Sequence, residues 1–188
     1  MKPEPHSDFV SRAGRKLDHA LTVFGIDPKR WVCADLGSST GGFVDCLLRR
    51  GARKVYAVER GYGVLAYSLR RDDRVVVMER TDALHVRLPE PVRLVTLDTG
   101  WTRQRLILPI AKRLLGDAGL IVSLVKPHYE ADQEMLQGGV LPDDLSEGVL
   151  DLVRGELPRV GLRCVAETES PIRGHGGNRE YLWHLVSA

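Results

Sequence analysis

Apolar residues recur along this chain in two rhythms. Near the start, Ala13, Leu17, Ala20, Leu21 and Phe24 fall three or four apart, which predicts an amphipathic helix closed by Gly25. Beyond it, short apolar runs at 31–36, 54–59, 74–78, 92–98 and 119–125 read as strands. Helical patterns near 41–50, 63–71 and 103–115 separate most of them, and another lies near 143–156. Two further strands are expected near 161–169 and 179–187, joined only by a Gly- and Pro-containing stretch at 170–178. Alternating strands and helices predict an α/β fold with a mainly parallel sheet and helices on both faces. The last two strands, with no helix between them, should form a terminal antiparallel hairpin. The total is seven strands in a Rossmann-like layout. Residues 1–8 read as a flexible polar end, and 9–188 as a single domain.

Composition narrows the class. A chain of 188 residues buries a core without disulfide or metal staples. Cys33, Cys46 and Cys164 form no C-x-x-C pair, and the histidines show no metal spacing, so no metal site is expected. No apolar run approaches the ~18 residues of a membrane span, and the MKPEPHSD start is not a secretory signal. The expected compartment is a reducing cytoplasm, with no membrane partner. The formal net charge is only +2, so any binding to nucleic acid must come from local patches. Residues 47–80 hold nine Lys or Arg against four acids, whereas 130–156 hold eight acids against one Arg. That asymmetry is either two solvated faces or a basic face that tracks a phosphate backbone.

The segment Asp35-Leu36-Gly37-Ser38-Ser39-Thr40-Gly41-Gly42-Phe43 follows the first strong strand and opens a helix. Such a loop allows backbone N–H groups to approach a ligand closely. It is not the G-x-G-x-x-G of a pyrophosphate binder, because Ser39 stands where Gly is needed, and it lacks the G-K-[ST] of a P-loop. Asp35, at the strand end, repels phosphate but welcomes an ammonium group. Glu59 ends the second strand, where a carboxylate suits ribose hydroxyls, and Asp82 after the third can accept from an adenine amine. Three acids and a glycine loop at successive strand C-termini suit S-adenosylmethionine. Read singly, Asp35 and Asp82 are equally good turn or helix caps.

Several further segments stand in a fixed order: Ser11-Arg12-Ala13-Gly14-Arg15-Lys16-Leu17, Tyr56-Ala57-Val58-Glu59-Arg60-Gly61-Tyr62-Gly63, Val76-Val77-Met78-Glu79-Arg80-Thr81, Leu124-Val125-Lys126-Pro127-His128-Tyr129-Glu130 and Gly177-Asn178-Arg179-Glu180-Tyr181-Leu182. With the glycine loop, they resemble the FtsJ-like ribose methyltransferases, and within them the TlyA (hemolysin-type) ribosomal RNA methyltransferases. The resemblance runs over almost the whole chain. It implies a seven-stranded methyltransferase fold, S-adenosylmethionine as donor, and a ribose 2′-hydroxyl of RNA as acceptor. It also implies a Lys-Asp-Lys-Glu tetrad, which falls on Lys16, Asp98, Lys126 and Glu180. Under it, Asp35, Gly37, Ser38, Ser39, Gly41, Gly42, Phe43, Glu59, Asp82 and Asp98 are the expected cofactor-binding residues. The chain departs from the family in two places. It starts without the small RNA-binding domain that normally comes first, so a partner or separate domain is expected to supply recognition. After Asp98 it reads Thr99-Gly100-Trp101-Thr102-Arg103 where members usually have Val-Ser-Phe-Ile-Ser.

A ribose hydroxyl is a poor nucleophile, so the enzyme must align it with the methyl group and help to remove one proton. A lysine serves as the base only when neutral. Burial and a second cation lower its pKa; paired carboxylates raise it. Lys126 is expected to orient and deprotonate the hydroxyl, with Asp98 and Glu180 positioning it and Lys16 biasing the charge or touching a phosphate. Arg12 and Arg15 flank Lys16 as phosphate contacts. Trp101 and Tyr129 follow two proposed catalytic strand ends and can stack on a splayed-out base, although Trp101 can also pack on the following helix. His128 and His175 lie near the same mouth without an assigned role. Two other readings stay open: a cofactor-binding RNA-associated scaffold without catalysis, and a methyltransferase acting on a small hydroxylated molecule.

Overall fold

The computed structural model describes residues 9–174 and 176–188; the expected flexible end at 1–8 and His175 lie outside them. Among the described residues, seven strands form one sheet in the order β3-β2-β1-β4-β5-β7-β6. They are β1 (Val32–Leu36), β2 (Lys54–Val58), β3 (Val75–Met78), β4 (Val92–Leu97), β5 (Leu115–Val125), β6 (Leu162–Glu169) and β7 (Tyr181–Ser187). The first five pair in parallel, and β7 runs antiparallel to both β5 and β6. The expected terminal hairpin is present, with β7 inside and β6 at the sheet edge.

The helices are α1 (Ala13–Val23), α2 (Gly42–Arg49), α3 (Tyr67–Arg70), α4 (Gln104–Leu114), α5 (Pro127–Glu130) and α6 (Ser146–Glu156). Two cores sit on opposite faces of the sheet, because side chains alternate along each strand. Ala34, Leu36, Val95, Leu97, Ile121, Val125 and Trp183 face α4 and α6. Cys33, Leu94, Val122, Leu124 and Leu182 face α1 and α2. Carried one residue past the strand ends, the alternation places Asp98, Lys126 and Glu180 on the second face, the one that carries α1. The β5–β7 register, with Val125 opposite Tyr181, puts Lys126 across from Glu180. Helix α1 can lie close to α2 because Gly42 has no side chain, while the bare Gly14 makes room for Phe9. A Cβ at Gly42 would stand 2.7 Å from the Gly14 amide nitrogen. That close approach carries Lys16 down to the sheet edge.

Some elements differ from expectation. The helix foreseen over 63–71 shrinks to the single turn of α3. Gly63 sits at φ +72, and the Ala66 N–H donates back to Thr40 O, so the chain before α3 closes on the glycine loop instead of coiling. Helix α5 was not foreseen; Pro127 occupies its first turn, where a missing N–H costs nothing.

Candidate active site

The C-terminal edge of the sheet holds two adjoining clefts. One, about 450 Å³, is lined by Glu59, Arg60, Asp82, Leu84 and Lys126 among others. The second, about 340 Å³, is lined by Arg12, Lys16, Asp35, Ser38 and Phe43 among others. Gly37, Ser39 and Asp98 belong to both. A third, largely apolar cavity of about 350 Å³ between α4 and α6 contains none of the expected site residues.

Part of the glycine loop's donor set is turned inward. Gly37 N–H and Ser38 N–H both donate to Val58 O, and Ser39 N–H donates to Glu59 Oε2 at 2.8 Å. Those three N–H groups of the expected row are therefore spent within the fold. Gly37, at φ +87, is required by a close approach: a Cβ there would lie 2.5 Å from Asp98 O. Gly41, at φ +104, lies against Leu65 and Leu69 and lines neither cleft. Phe43 is fully buried in the α1–α2 core and touches the second cleft from below.

Asp35 is buried, with Oδ1 accepting from Thr96 Oγ1 at 2.6 Å and Oδ2 left without a partner. Burial pushes its carboxyl up to about 7, helped by the nearby charges of Asp98 and Glu59 and opposed by the Thr96 bond. Ser38 Oγ is also buried without a partner, beside the same cleft. An unpartnered carboxylate oxygen and hydroxyl facing a cleft suit a bound group that carries both a cation and hydrogen-bonding atoms. Glu59 accepts from Ser39 N–H and from Gly61 N–H at 2.7 Å, which fixes its carboxylate at the mouth. Asp82 caps the turn Ala83–His85, accepting from Leu84 N–H at 2.9 Å, and lines the first cleft too. The residues thus fit the amino-acid and nucleoside ends of S-adenosylmethionine.

Two lysine–carboxylate pairs stand on the acceptor side. Lys16 pairs with Glu180, both buried. Lys126 Nζ donates to Asp98 Oδ1 at 2.6 Å, and that pair is partly open to solvent. Burial pulls the Lys126 ammonium down, but the charge and hydrogen bond of Asp98, with the charge of Glu180, outweigh it and leave its pKa above the usual lysine value. Lys126 is therefore cationic in the free protein, the reverse of the direction that a resting base requires. Lys16 lines the second cleft but is buried, and its contact within the protein is Glu180.

The outer residues separate. Arg12 lines the second cleft, whereas Arg15 is exposed and lines neither. Trp101 does not pack on α4. It is 86% exposed, sits at φ +59, and stacks on the Tyr129 ring at 4.7 Å. Lys126 Nζ lies 5.6 Å from the Tyr129 centroid and His128 lies 4.1 Å from that ring. Burial and Lys126 hold the His128 pKa down at about 4, so it is neutral. The basic run at 47–80 is largely paired: Arg49 meets Asp45, Arg50 meets Asp18, Lys54 meets Glu90, Arg70 meets Glu79 and Arg74 meets Asp72. Three of those acids lie outside the run, so counting charge along the chain overstated the basic face. Arg60, Arg71 and Arg80 remain exposed. Thr96, which orients Asp35, was missed; it is the one hydroxyl in an otherwise apolar stretch of β4, but its neighbour is known only from strand order. Among the described residues, no group of three or more His, Cys, Asp or Glu could hold a metal, and no helix is long and apolar enough to cross a membrane.

Comparison with known proteins follows the same lines. The FtsJ-like methyltransferase family model matches residues 9–186. Hemolysin A of Brachyspira hyodysenteriae is 39% identical over 184 residues, covering 95% of this chain and 77% of that protein. The 16S/23S rRNA (cytidine-2′-O)-methyltransferase TlyA of Mycobacterium tuberculosis is 40% identical over 183 residues, covering 93% of this chain and 68% of that one. The solved structure of a hemolysin candidate from Streptococcus thermophilus superposes with a TM-score of 0.94 at 36% identity, covering 100% of this chain and 70% of that chain.

Proposed function

The chain belongs to the FtsJ-like methyltransferase family, and from that premise we propose that it transfers a methyl group to a ribose 2′-hydroxyl of ribosomal RNA. S-adenosylmethionine is its donor and, when bound, supplies an electrophilic methyl group on a cationic sulfur. One observation carries the reading: Asp35, Glu59 and Asp82, none of them held by a lysine, line two clefts that meet at Gly37, Ser39 and Asp98, beside the Lys126–Asp98 pair.

Each residue has a task in this reading. Asp35 holds a cationic end of the donor, and Glu59 and Asp82 hold its nucleoside. Lys126 Nζ aims at the acceptor hydroxyl. Beside a bound positive charge, Lys126 would be driven toward its neutral form and would take the hydroxyl proton; the donor would supply the methyl carbon to the oxygen as its bond to sulfur breaks and the electron pair stays on sulfur. Asp98 and Glu180 keep the amine in place, and Lys16 holds Glu180. The stacked Trp101–Tyr129 pair offers an exposed aromatic face to an unstacked base beside the target ribose.

The test has two stages. Calorimetric titration with S-adenosylmethionine and S-adenosylhomocysteine should show binding that Asp35→Ala removes. Methyl transfer to ribosomal RNA should then fall about 1,000-fold in Lys126→Ala while donor binding persists. Full transfer by that variant would sink the assignment of the base. Donor binding without transfer to any RNA would favour a scaffold, and an acceptor bound without salt dependence would favour a small hydroxylated molecule.

A further inference from the structure

Asn178 lies two residues before Glu180 and is buried. Both ends of its side-chain amide are engaged, and both partners are backbone groups of one turn. Oδ1 accepts from Leu141 N–H at 2.9 Å, and Nδ2 donates to Gly139 O at 3.1 Å. That turn is closed by paired bonds between Gln137 and Val140, with Gly138 and Gly139 both at positive φ. Leu141 is buried against Ala131 and Val149, the first of which directly follows α5. The chain leaving Lys126 through α5 is therefore tied to the chain entering Glu180 by the Asn178 amide, which is buried, and by the more exposed Arg173–Asp143 ion pair.

Asn178 also shapes the ground beneath Glu180. Its carbonyl accepts from Gly174 N–H at 2.9 Å, which folds the loop back on itself. Gly174 then lies so close to Glu180 that a Cβ there would stand 2.7 Å from Oε1. The Glu180 carboxylate is hemmed in on one side by this loop and reaches Lys16 on the other.

We propose that Asn178 is a positioning residue for methyl transfer: by clamping the 137–141 turn to the 174–180 loop, it sets the Glu180 carboxylate against Lys16 and Lys126. A buried amide that satisfies one donor and one acceptor of the same turn leaves that turn little freedom. An alanine here removes both bonds at once and leaves Leu141 N–H and Gly139 O without them. The loop under Glu180 then relaxes, and the carboxylate drifts from the two amines. The proposal rests on the tetrad reading, in which Glu180 serves the reaction.

Steady-state methyl transfer by Asn178→Ala, Glu180→Gln and the double variant tests it, with donor affinity and thermal unfolding measured alongside. Asn178→Ala should lower kcat about 100-fold, the cost of a misplacement near 1 Å, with donor affinity and KM for RNA within about twofold of wild type. In the Glu180→Gln background the same change should cost no more than about twofold, because the two act as one unit. The rate–pH profile supplies a readout that a merely structural role would not move. Lys126 is faced by Asp98 beyond β4, by Glu180 before β7, and by His128 and Tyr129 on α5. Releasing Glu180 weakens one of the charges that keep it protonated, so the alkaline rise in rate should begin at lower pH. Should alanine unfold the protein, Asn178→Asp keeps the acceptor for Leu141, loses only the donor to Gly139, and should fall about 10-fold. Wild-type kcat in Asn178→Ala while Glu180→Gln is impaired would overturn the proposal alone, as would losses that multiply in the double variant. Wild-type kcat in Glu180→Gln would overturn the tetrad reading and this proposal with it.

Discussion

Asp35 and Asp98 end neighbouring strands, yet they live in opposite electrostatic settings. Asp35, at the end of β1, is buried with an unpartnered oxygen and a carboxyl pushed up to about 7. Asp98, one step beyond β4, holds the Lys126 ammonium at 2.6 Å. The division extends across the sheet. On the β1–β2–β3 side, Asp35, Glu59 and Asp82 are held by a hydroxyl or by backbone N–H groups and not by a lysine. On the β4–β5–β7 side, Asp98 and Glu180 each have a lysine. In the proposed reaction the first half takes its positive charge from the donor, and the second carries its own and moves a proton within it. Gly37 is the seam, lining both clefts.

The largest effect should come from breaking the acceptor half at its buried pair. Glu180→Gln leaves the Lys16 ammonium buried without its carboxylate, which should cost about 3–5 kcal/mol in denaturant unfolding. Lys126→Met frees the more open Asp98, which water can cover, and should cost about 1 kcal/mol. Equal costs would show that burial does not separate the two pairs. Lys16→Met with Glu180→Leu should recover most of the lost stability while leaving transfer impaired.

A middle-sized effect is expected at the seam. Gly37→Ala puts a side chain at φ +87 and 2.5 Å from Asp98 O, so the backbone must shift. Stability should fall by about 1–3 kcal/mol, and donor affinity and turnover should fall together. A change confined to one of the two would mean that the clefts are mechanically independent.

The smallest effect sharpens the donor half through pH. Only ionised Asp35 attracts a cation, so donor affinity should drop about tenfold from pH 8 to pH 6, and Asp35→Asn should be weak and flat over that range. Stability without donor should move in the opposite direction. A carboxyl whose pKa is raised by folding binds more protons folded than unfolded, so stability is higher at low pH and declines between about pH 4 and pH 7. Asp35→Asn should remove that decline in a series of unfolding curves.

Much of this was written into the linear pattern. Short apolar runs marked the strands, and the absence of a helical stretch between the last two marked the hairpin. Strand ends placed Asp35, Glu59, Asp82, Asp98 and Lys126 on one edge, because parallel strands joined by helices all end on the same side. Other features depended on distance through space. The bonds from Gly37 and Ser38 N–H to Val58 O, the Thr96–Asp35 bond and the seating of Gly41 on Leu65 and Leu69 join residues far apart in the chain. So do Arg50–Asp18 and Lys54–Glu90, which quieted the basic run. The direction of the Lys126 shift was the hardest to read. Burial and paired carboxylates act on a lysine with opposite signs, and their balance depends on ångström-scale separations. The linear order of residues was enough to set the order of elements and the residue types at the sheet edge, since these follow from local pattern and chain direction. The tertiary structure alone decided which carboxylate meets which amine, which remains unpaired and where Asn178 clasps a distant turn, because Coulomb and hydrogen-bond energies depend on spatial separation and not on position in the chain.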